Sequence, residues 1–365
     1  MHTRQFRETL QEWNRTENTR QMPWKGEKDP YRVWLSEIIL QQTRVEQGRA
    51  YYERFITAFP TVKDLSDAPD ERIFKLWEGL GYYSRCKNLI LSARHIALER
   101  GGRFPDEYED ILELKGVGPY TAAAIASFAF GLPHAVVDGN VLRVLSRFFG
   151  IGLPVDSTEG RAMLTGLAEK CLDREAPGLY NQAIMDFGAV VCKPANPDCG
   201  HCPFRSGCIA LKEDKVGILP LKSKRLTRKD RHFIFVLAEF RGSVYIRKRT
   251  GKDIWENLFE FIGYEVAGQK KGMREWEDYR HLLKSQWFGK FIGKHPFTVI
   301  SASPVYQQSL THQQIHARFV RIRLEHPLSD PADYSLTRKE EMMQLAFPRL
   351  LNDYLNARTY EGSLF

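Results

Sequence analysis

The sequence has no apolar run long enough to cross a bilayer, and its first thirteen residues are too polar and charged for a secretory signal. It has only six cysteines in 365 residues. We therefore expect a protein without membrane association, in the cytoplasm. Disulfides are rare in that reducing compartment, so the cysteines should serve another purpose.

Strand-length alternation of apolar and polar residues is absent from the first part of the chain. Residues 1–212 instead show helical periodicity broken by short Gly/Pro loops, with one long helix predicted over Tyr31 to Gln47. Residues 232–247 have the pattern of a β-hairpin, and further strands and one helix (Met273 to Trp287) follow. A chain of this length reads as two domains. We predict an all-α domain over residues 1–212, a basic linker over 213–231, and an α+β domain over 232–355.

Charge of one sign is in excess. The net charge is +8 and the pI is near 9.1, which favours a polyanionic partner such as nucleic acid. From Lys212 to Arg231, eight basic residues stand against three acidic ones. This segment is either a solvated tether or one that follows phosphates.

Two glycines, Gly116 and Gly118, flank Val117 between two predicted helices. Glycine permits positive φ and close backbone approach, and a helix N-terminus suits a phosphate. The alternative is an ordinary packing corner between helices. Asp138 follows an apolar connection and precedes another helix, so it is either a simple N-cap or a charge placed at the helix junction.

Glu37 lies inside the apolar run WLSEIIL, residues 34–40. A helical glutamate usually faces solvent, but these neighbours indicate that its face is covered. Burial raises a carboxyl pKa, as a general acid requires. Glu37 is therefore expected to be at least partly buried, with a raised pKa.

Four cysteines lie within seventeen residues, with the spacing C-x6-C-x2-C-x5-C. In a cytoplasmic protein such a group indicates a metal site. Zinc sites commonly show two CxxC pairs, and only one is present here; a compact four-thiolate loop suits a [4Fe–4S] cluster. The two other cysteines, Cys86 and Cys171, lie in helical patterns and are expected to be inert. The predicted ligands are Cys192, Cys199, Cys202 and Cys208.

These motifs together resemble the adenine DNA glycosylase (MutY) family of the helix-hairpin-helix DNA glycosylase superfamily. The hairpin, the aspartate, the WLSEIILQQT helix (residues 34–43) and the cysteine spacing, which is that of endonuclease III-like cluster loops, all match. Residues 252–263 (KDIWENLFEFIG) resemble the lead-in of Nudix hydrolases, and AFPR at 346–349 resembles the family's C-terminal end. Residues 274–277 (REWE) are too short for the metal-binding Nudix helix, so the second domain should recognise rather than hydrolyse.

The resemblance implies removal of adenine mispaired with 8-oxoguanine or guanine in double-stranded DNA. It gives Glu37 the role of general acid and Asp138 that of the anion facing the sugar, with Tyr120 and Asn140 orienting the aspartate and the sugar. Since Tyr120 stands where bifunctional relatives keep a lysine, a monofunctional enzyme is expected. The residues expected to contact substrate or DNA are Trp24, Lys25, Gln41, Gln42, Thr43, Leu80, Gly81, Tyr82, Gly116, Val117, Gly118, Gln182, Thr311 and His312.

Among these, Gln42 and Tyr82 are expected to wedge into the base stack, although an aromatic at a turn is more often a lid on the core. Thr311 and His312 stand where the family carries Ser-His, and Leu310 replaces its aromatic, which puts stacking at that loop in doubt. For these residues a short polar hairpin turn is the alternative.

Two other functions are open. A thymine–guanine mismatch glycosylase can share the hairpin tyrosine and the cluster, whereas a non-catalytic DNA-binding or redox-sensing protein would not need the paired carboxylates. The resemblance places the protein, as a monomer, in the bacterial cytosol or nucleoid.

Overall fold

A computed structural model describes residues 3–223, 227–266, 278–293 and 295–357. Contacts divide the chain into two compact units. The first unit comprises residues 1–67 and 87–225, and the second comprises residues 68–86 and 226–365. Within the described ranges, no helix combines the length and the apolar character that a membrane span requires.

The described residues before 213 form helices joined by short loops, as the periodicity predicts. Several of these helices begin where an N-cap side chain or a first-turn proline favours it: Asp29 caps the helix that starts at Pro30, and Ser157 caps the one that starts at Thr158. The helices are α1 (Thr3–Thr16), α2 (Pro30–Leu40), α3 (Val45–Ala58), α4 (Val62–Asp67), α5 (Asp70–Trp77), α6 (Tyr83–Glu99), α7 (Tyr108–Glu113), α8 (Pro119–Ala129), α9 (Gly139–Phe149), α10 (Thr158–Cys171), α11 (Pro177–Val190) and α12 (Ile209–Lys212).

The helix expected over Tyr31 to Gln47 is two helices. Helix α2 ends at Leu40 and α3 begins at Val45, because Gln42 adopts a left-handed conformation with φ of 56°, which a continuing α-helix does not allow. Residues 41–43 therefore lie in a turn after the helix that carries Glu37, and not within a helix. Helix α4 has no counterpart in the expected pattern.

Aromatic rings hold the core of the first unit together. Phe6 on α1 contacts Phe148 on α9 and Phe204 in the cysteine loop, with ring centroids 4.8 and 4.7 Å apart. Trp13 meets Phe187 on α11 edge-on at 5.0 Å. All five side chains are almost completely buried, so the cysteine loop is packed onto the helices rather than appended to them.

The second unit is built on a mixed seven-stranded sheet with the order β4-β6-β1-β3-β2-β7, and β5 pairs with β6. Strands β1 and β6 run parallel along their length, and the other pairs are antiparallel. The strands are β1 (Lys229–Phe240), β2 (Ser243–Lys248), β3 (Phe259–Glu265), β4 (Phe297–Ala302), β5 (Tyr306–Ser309), β6 (Gln313–Leu324) and β7 (Ser335–Arg338). The described residues after 266 also form the short helices α13 (Tyr279–Leu283), α14 (Gln286–Ile292), α15 (Lys339–Met342) and α16 (Arg349–Leu355).

The expected β-hairpin is present, although β1 begins at Lys229, within the segment predicted as linker, and β2 pairs mainly with β3 and β7. Strands β5 and β7 were not expected from the sequence. The helix expected over Met273 to Trp287 is represented by α13 and the start of α14; residues 273–277, and with them the REWE segment at 274–277, lie outside the described residues.

Residues 68–86 fall in the second unit, whereas the sequence-based boundary places them in the first domain. The Glu71 carboxylate accepts a hydrogen bond from Lys248 at 2.7 Å, and Glu78 accepts one from the Phe347 amide at 2.8 Å. Lys75 donates to the Leu345 carbonyl at 3.0 Å. Helix α5 is therefore tied to the AFPR segment, an association that no local pattern reveals.

The first half of the predicted linker is packed on the first unit. Leu219 is buried, and its carbonyl accepts a hydrogen bond from Arg147. The Leu221 carbonyl accepts one from the Val155 amide, and Ser223 donates to Asp156. Residues 219–223 are therefore attached to helices of the first unit and are not a solvated tether.

Candidate active site

Glu37 is buried at the centre of α2, with 5 % of its surface exposed. Its neighbours on the same helix, Val33 to Ile39, are buried as well, which answers the choice between a covered and a solvent-facing glutamate. The Tyr120 hydroxyl donates a hydrogen bond to Glu37 Oε2 at 2.7 Å. The pKa of Glu37 is raised to about 7. Burial is the largest cause; the Tyr120 hydrogen bond acts in the opposite direction, and the charge of Asp138 adds to the increase.

Asp138 is the N-cap of α9, and its carboxylate also faces the site. It accepts hydrogen bonds from the Val141 amide at 2.8 Å and from the Asn140 side chain at 2.7 Å. These bonds favour the ionised form, as expected for a helix N-terminus, but burial has the larger effect and raises the pKa of Asp138 above its usual value. Asp138 is thus both a cap and a site residue.

One cavity of about 860 Å³ contains both carboxyl groups. A site in which Glu37 and Asp138 lined separate cavities would have ruled out joint action on one nucleotide, and the structure does not have that arrangement. Other expected residues share the cavity: Trp24, Lys25, Gln41, Gln42, Thr43, Tyr120, Asn140 and Gln182.

The hairpin places its two glycines in different environments. Gly116 has φ of 79°, and a Cβ there would lie 2.8 Å from Cβ of Asn88, so only glycine fits. Gly118 is extended and has open space where a Cβ would be, which leaves room for a ligand's close approach. The Val117 amide donates to the Leu114 carbonyl within the turn, and Gln41 Nε2 donates to the Gly116 carbonyl at 3.4 Å.

The remaining expected DNA contacts lie in the second unit. Leu80 is buried, Gly81 has φ of 79°, and Tyr82 is 41 % exposed with φ of 50°. The Tyr82 hydroxyl is hydrogen-bonded to the hydroxyl of Thr311, in the turn between β5 and β6, and His312 beside it is exposed. Positive φ at a residue other than glycine is a strained state that clusters at functional sites, and both expected wedges, Gln42 and Tyr82, have it.

The four predicted ligand cysteines line one small cavity together with Arg147 and Arg205, and all are free thiols. Burial raises the pKa of Cys202 to about 12, and the other three cysteines raise it as well. No three His, Cys, Asp or Glu side chains of the described residues are disposed to hold one metal ion. Four thiols around a common cavity do fit a multi-iron cluster, whose irons bind thiolates.

Two buried arginines connect the cysteine loop with the site. Arg143 donates to Asn140 Oδ1 at 2.8 Å and to the Cys192 carbonyl at 2.7 Å. Arg147, one turn later on α9, contacts Cys192 Sγ at 3.5 Å and donates to the Lys193 carbonyl at 2.7 Å. Arg143 and Asn140 thus form a chain of hydrogen bonds from the Cys192 carbonyl to the Asp138 carboxylate. The two remaining cysteines, Cys86 and Cys171, are buried, and burial raises the pKa of each.

Sequence reasoning missed Arg20 and Asp186. Arg20 lines the cavity, and Asp186 is fully buried beside it. The missed signal was the one used for Glu37, an acid within an apolar helical run: here AIMDFGAV, residues 183–190.

The fold and the paired carboxylates define a helix-hairpin-helix DNA N-glycosylase with a second, Nudix-like domain. Residues 35–162 match the model of the HhH-GPD superfamily base excision DNA repair proteins, and residues 233–357 match that of the NUDIX domain. Adenine DNA glycosylase of Buchnera aphidicola subsp. Schizaphis graminum is 36 % identical over 261 residues, which cover 72 % of this chain and 75 % of that protein. The chain belongs to the adenine DNA glycosylase family.

The chain is also similar to the following proteins. Human adenine DNA glycosylase is 44 % identical over 214 residues, 56 % of this chain and 39 % of its own. A solved thermostable thymine-DNA glycosylase is 31 % identical with a TM-score of 0.54 and covers 58 % of this chain and 97 % of its own. An endonuclease III–DNA complex is 21 % identical with a TM-score of 0.51, over 59 % of this chain and 98 % of its own, and shows the fold alone.

Proposed function

We propose that this adenine glycosylase acts as a monofunctional enzyme on double-stranded DNA that carries adenine opposite 8-oxoguanine or guanine. The observation that carries the catalytic assignment is the shared cavity, in which a buried glutamate with a pKa of about 7 lies beside the Asp138 carboxylate. A carboxyl group with that pKa is still partly protonated at neutral pH and can act as an acid, while its partner provides negative charge.

In the proposed reaction, an extruded adenine enters the cavity. Glu37 transfers its proton to N7, the bond between N9 and the sugar carbon breaks, and the electron pair leaves with the base. Asp138, held by Val141 and Asn140, stabilises the positive charge on the sugar or forms a bond to it that breaks when water adds. The proton that this water loses passes to the Glu37 carboxylate. The Tyr120 hydroxyl donates its hydrogen bond to Glu37 rather than to Asp138, so Tyr120 orients the general acid directly.

The four cysteines, 192, 199, 202 and 208, would hold a [4Fe–4S] cluster. When bound, that cluster cross-links the loop that Arg143 and Arg147 attach to α9. We further propose that the protein works as a monomer in the bacterial cytosol or nucleoid.

The test is incubation with a duplex containing adenine opposite 8-oxoguanine, followed by alkaline strand scission. Glu37→Gln keeps an acceptor for the Tyr120 hydroxyl but has no proton to give, so base release should be lost while duplex binding persists. Glu53→Gln, on the exposed side of α3, is the matched control and should behave as wild type. Adenine release by Glu37→Gln at the wild-type rate would refute the assignment.

Selection of the opposite base rests on the Tyr82–Thr311 contact in the second unit. The Thr311 hydroxyl can both donate and accept, and it lies on the turn that exposes His312. Changing Thr311 and His312 to Ala together should lower the preference for 8-oxoguanine over guanine, measured as a ratio of single-turnover rates. Thr337→Ala on β7 is the control hydroxyl, and an unchanged ratio in the double variant would contradict the proposal.

A thymine–guanine mismatch glycosylase is the second candidate, because the solved thymine-DNA glycosylase shares 31 % identity with this chain. The match to that protein covers only 58 % of this chain. This chain also has a Nudix domain match, which begins at residue 233. A panel of duplexes with thymine or adenine opposite guanine separates the two functions, and we expect adenine alone to be released.

A further inference from the structure

Asp186 on α11 is a fully buried carboxylate that accepts four hydrogen bonds, two on each oxygen. Oδ1 accepts from Arg20 Nη1 at 2.8 Å and from Gln182 Nε2 at 3.0 Å. Oδ2 accepts from Lys25 Nζ at 3.0 Å and from Asn18 Nδ2 at 2.9 Å. The Asp186 carboxylate is therefore the acceptor in all four hydrogen bonds, and the donors are an arginine, a lysine and two side-chain amides.

Three of these donors, Arg20, Lys25 and Gln182, line the cavity that contains Glu37 and Asp138. Asp186 itself is not part of the cavity lining. Its effect on a bound base would therefore pass through the side chains it holds, which makes it a positioning residue.

The consequence for Gln182 is a fixed amide orientation. A side-chain amide has a donor end and an acceptor end, and the hydrogen-bond network decides which end points where. Because Asp186 is the acceptor in their hydrogen bond, the amide nitrogen of Gln182 faces it. The Oε1 carbonyl is left for the cavity.

An acceptor in the cavity distinguishes the two purines. Beside N7, adenine carries an amine that donates, whereas guanine carries a carbonyl that accepts. A carbonyl oxygen facing the base complements adenine and opposes guanine. The same carboxylate also binds Arg20 and Lys25, whose N–H groups would otherwise match the guanine carbonyl.

We propose that Asp186 sets the base specificity of the cavity: it fixes Gln182 with its carbonyl toward the base and engages the N–H donors of Arg20 and Lys25. This inference rests on the proposed site around Glu37. It predicts that the amine of adenine, and not the purine ring alone, is read through Asp186.

The experiment compares two substrates that differ only in that amine, adenine and unsubstituted purine, at the same position opposite the same base. Single-turnover release rates give the adenine-to-purine ratio, and differences in intrinsic reactivity cancel when variants are compared. Asp186→Asn places an N–H donor next to the four donors, so Gln182 is no longer held with its carbonyl toward the base. The adenine-to-purine ratio should then fall about tenfold, the effect of losing one hydrogen bond to the adenine amine. Affinity for a duplex containing the abasic product should be unchanged.

A purely structural role for Asp186 predicts a different result: a lower melting temperature and slower release of both bases by the same factor. Asp173→Asn is the matched control: Asp173 also accepts a hydrogen bond from a glutamine amide, that of Gln11, but Gln11, unlike Gln182, does not line the cavity. Its ratio should equal that of the wild type.

A double variant exchanges the two groups, with Gln182→Glu and Asp186→Asn in one chain. It keeps one carboxylate and one amide in the cluster and again presents an acceptor to the base, so the ratio should recover. If Asp186→Asn does not fold, this double variant decides the question: a ratio below wild type would overturn the inference. An unchanged ratio in Asp186→Asn would also overturn it.

The Glu37→Gln experiment separates this failure from that of the proposed function. If Glu37→Gln is inactive and the Asp186→Asn ratio is unchanged, the catalytic site stands and only the role of Asp186 is lost. If Glu37→Gln releases adenine normally, the site itself is misassigned.

Discussion

Glu37 and Asp138 are both acids in one cavity, yet their surroundings differ. Glu37 accepts a single neutral hydrogen bond, from Tyr120, and sits in the middle of a buried helix. Asp138 stands at a helix N-terminus and accepts two hydrogen bonds, one of them from a backbone amide. Burial raises the pKa of both groups, but the hydrogen bonds that Asp138 accepts favour its charged form more strongly than the single one described for Glu37.

The first prediction concerns the pH dependence of base release. The protonated form of Glu37 is the acid, so the single-turnover rate should fall as pH rises through about 7. Because the Tyr120 hydrogen bond lowers the pKa of Glu37, Tyr120→Phe should move this fall to higher pH. Rates measured from pH 5 to 9 check both points. A rate that rises through pH 7 would exclude Glu37 as the acid, and Glu53→Gln should keep the wild-type midpoint.

The second prediction concerns stability. The pKa of Glu37 is raised from 4.5 to about 7 in the folded state, so between these pH values the folded chain keeps a proton that the unfolded chain loses. The free energy of unfolding therefore falls as pH rises from about 4.5 to 7, on the order of 3 kcal/mol for this group.

Glu37→Gln does not titrate, so it should gain stability relative to wild type as pH rises, by that same order. Denaturant unfolding of both proteins at pH 5 and pH 8 measures the change. Asp138 is present in both proteins, so its own titration contributes to each. A difference between the two proteins that is independent of pH would show that Glu37 has an ordinary pKa.

At the scale of elements, the two glycines of the hairpin between α7 and α8 serve different purposes, one in the fold and one in ligand access. Gly116 is required by the fold, because its φ is positive and Asn88 occupies the space of a Cβ. Gly118 has neither constraint, and its open side is the place for a ligand. The third prediction uses this contrast.

Gly116→Ala should destabilise the protein by about 2 kcal/mol or more, from backbone strain and the contact with Asn88. Gly118→Ala should cost about 1 kcal/mol or less, the usual range for losing glycine at an N-cap, but should weaken duplex binding if a phosphate lies against it. Thermal unfolding and a binding titration on both variants measure the two effects. Equal loss of stability in the two variants would contradict this division.

At the scale of the whole molecule, the second unit is discontinuous in sequence. Residues 68–86 belong to the same compact unit as residues 226–365. In α5 and at its end, Glu71, Lys75 and Glu78 form hydrogen bonds with residues beyond 240. A cut at the apparent linker would therefore remove partners from α5.

The fourth prediction is that a chain ending at residue 225 melts below the full-length chain, by about 2–4 °C for each kcal/mol lost. Glu78→Gln should destabilise the full-length chain through its bond to the Phe347 amide and should have a smaller effect in the shortened chain, where that amide is gone. Scanning calorimetry of the four proteins makes the comparison. Equal melting temperatures with and without residues 226–365 would show that α5 needs no partner there.

The sequence by itself determined most of the helices of residues 1–212, most of the sheet-forming segments, the buried context of Glu37 and the spacing of the four cysteines. These are local properties, since periodicity, capping residues and turn glycines act within a few positions of each other. The family resemblance of the motifs then located Asp138, Tyr120 and Gln182.

Only the tertiary structure decided which of these groups meet. Asp186 holds Arg20 and Lys25 from more than 160 positions away, Tyr82 finds Thr311 across 229 positions, and α5 joins the second unit. Such partners are chosen by the packing of whole elements, because a buried charge must find donors wherever the fold brings them. Local sequence shows that Asp186 is an acid in an apolar run; the fold alone shows what it holds.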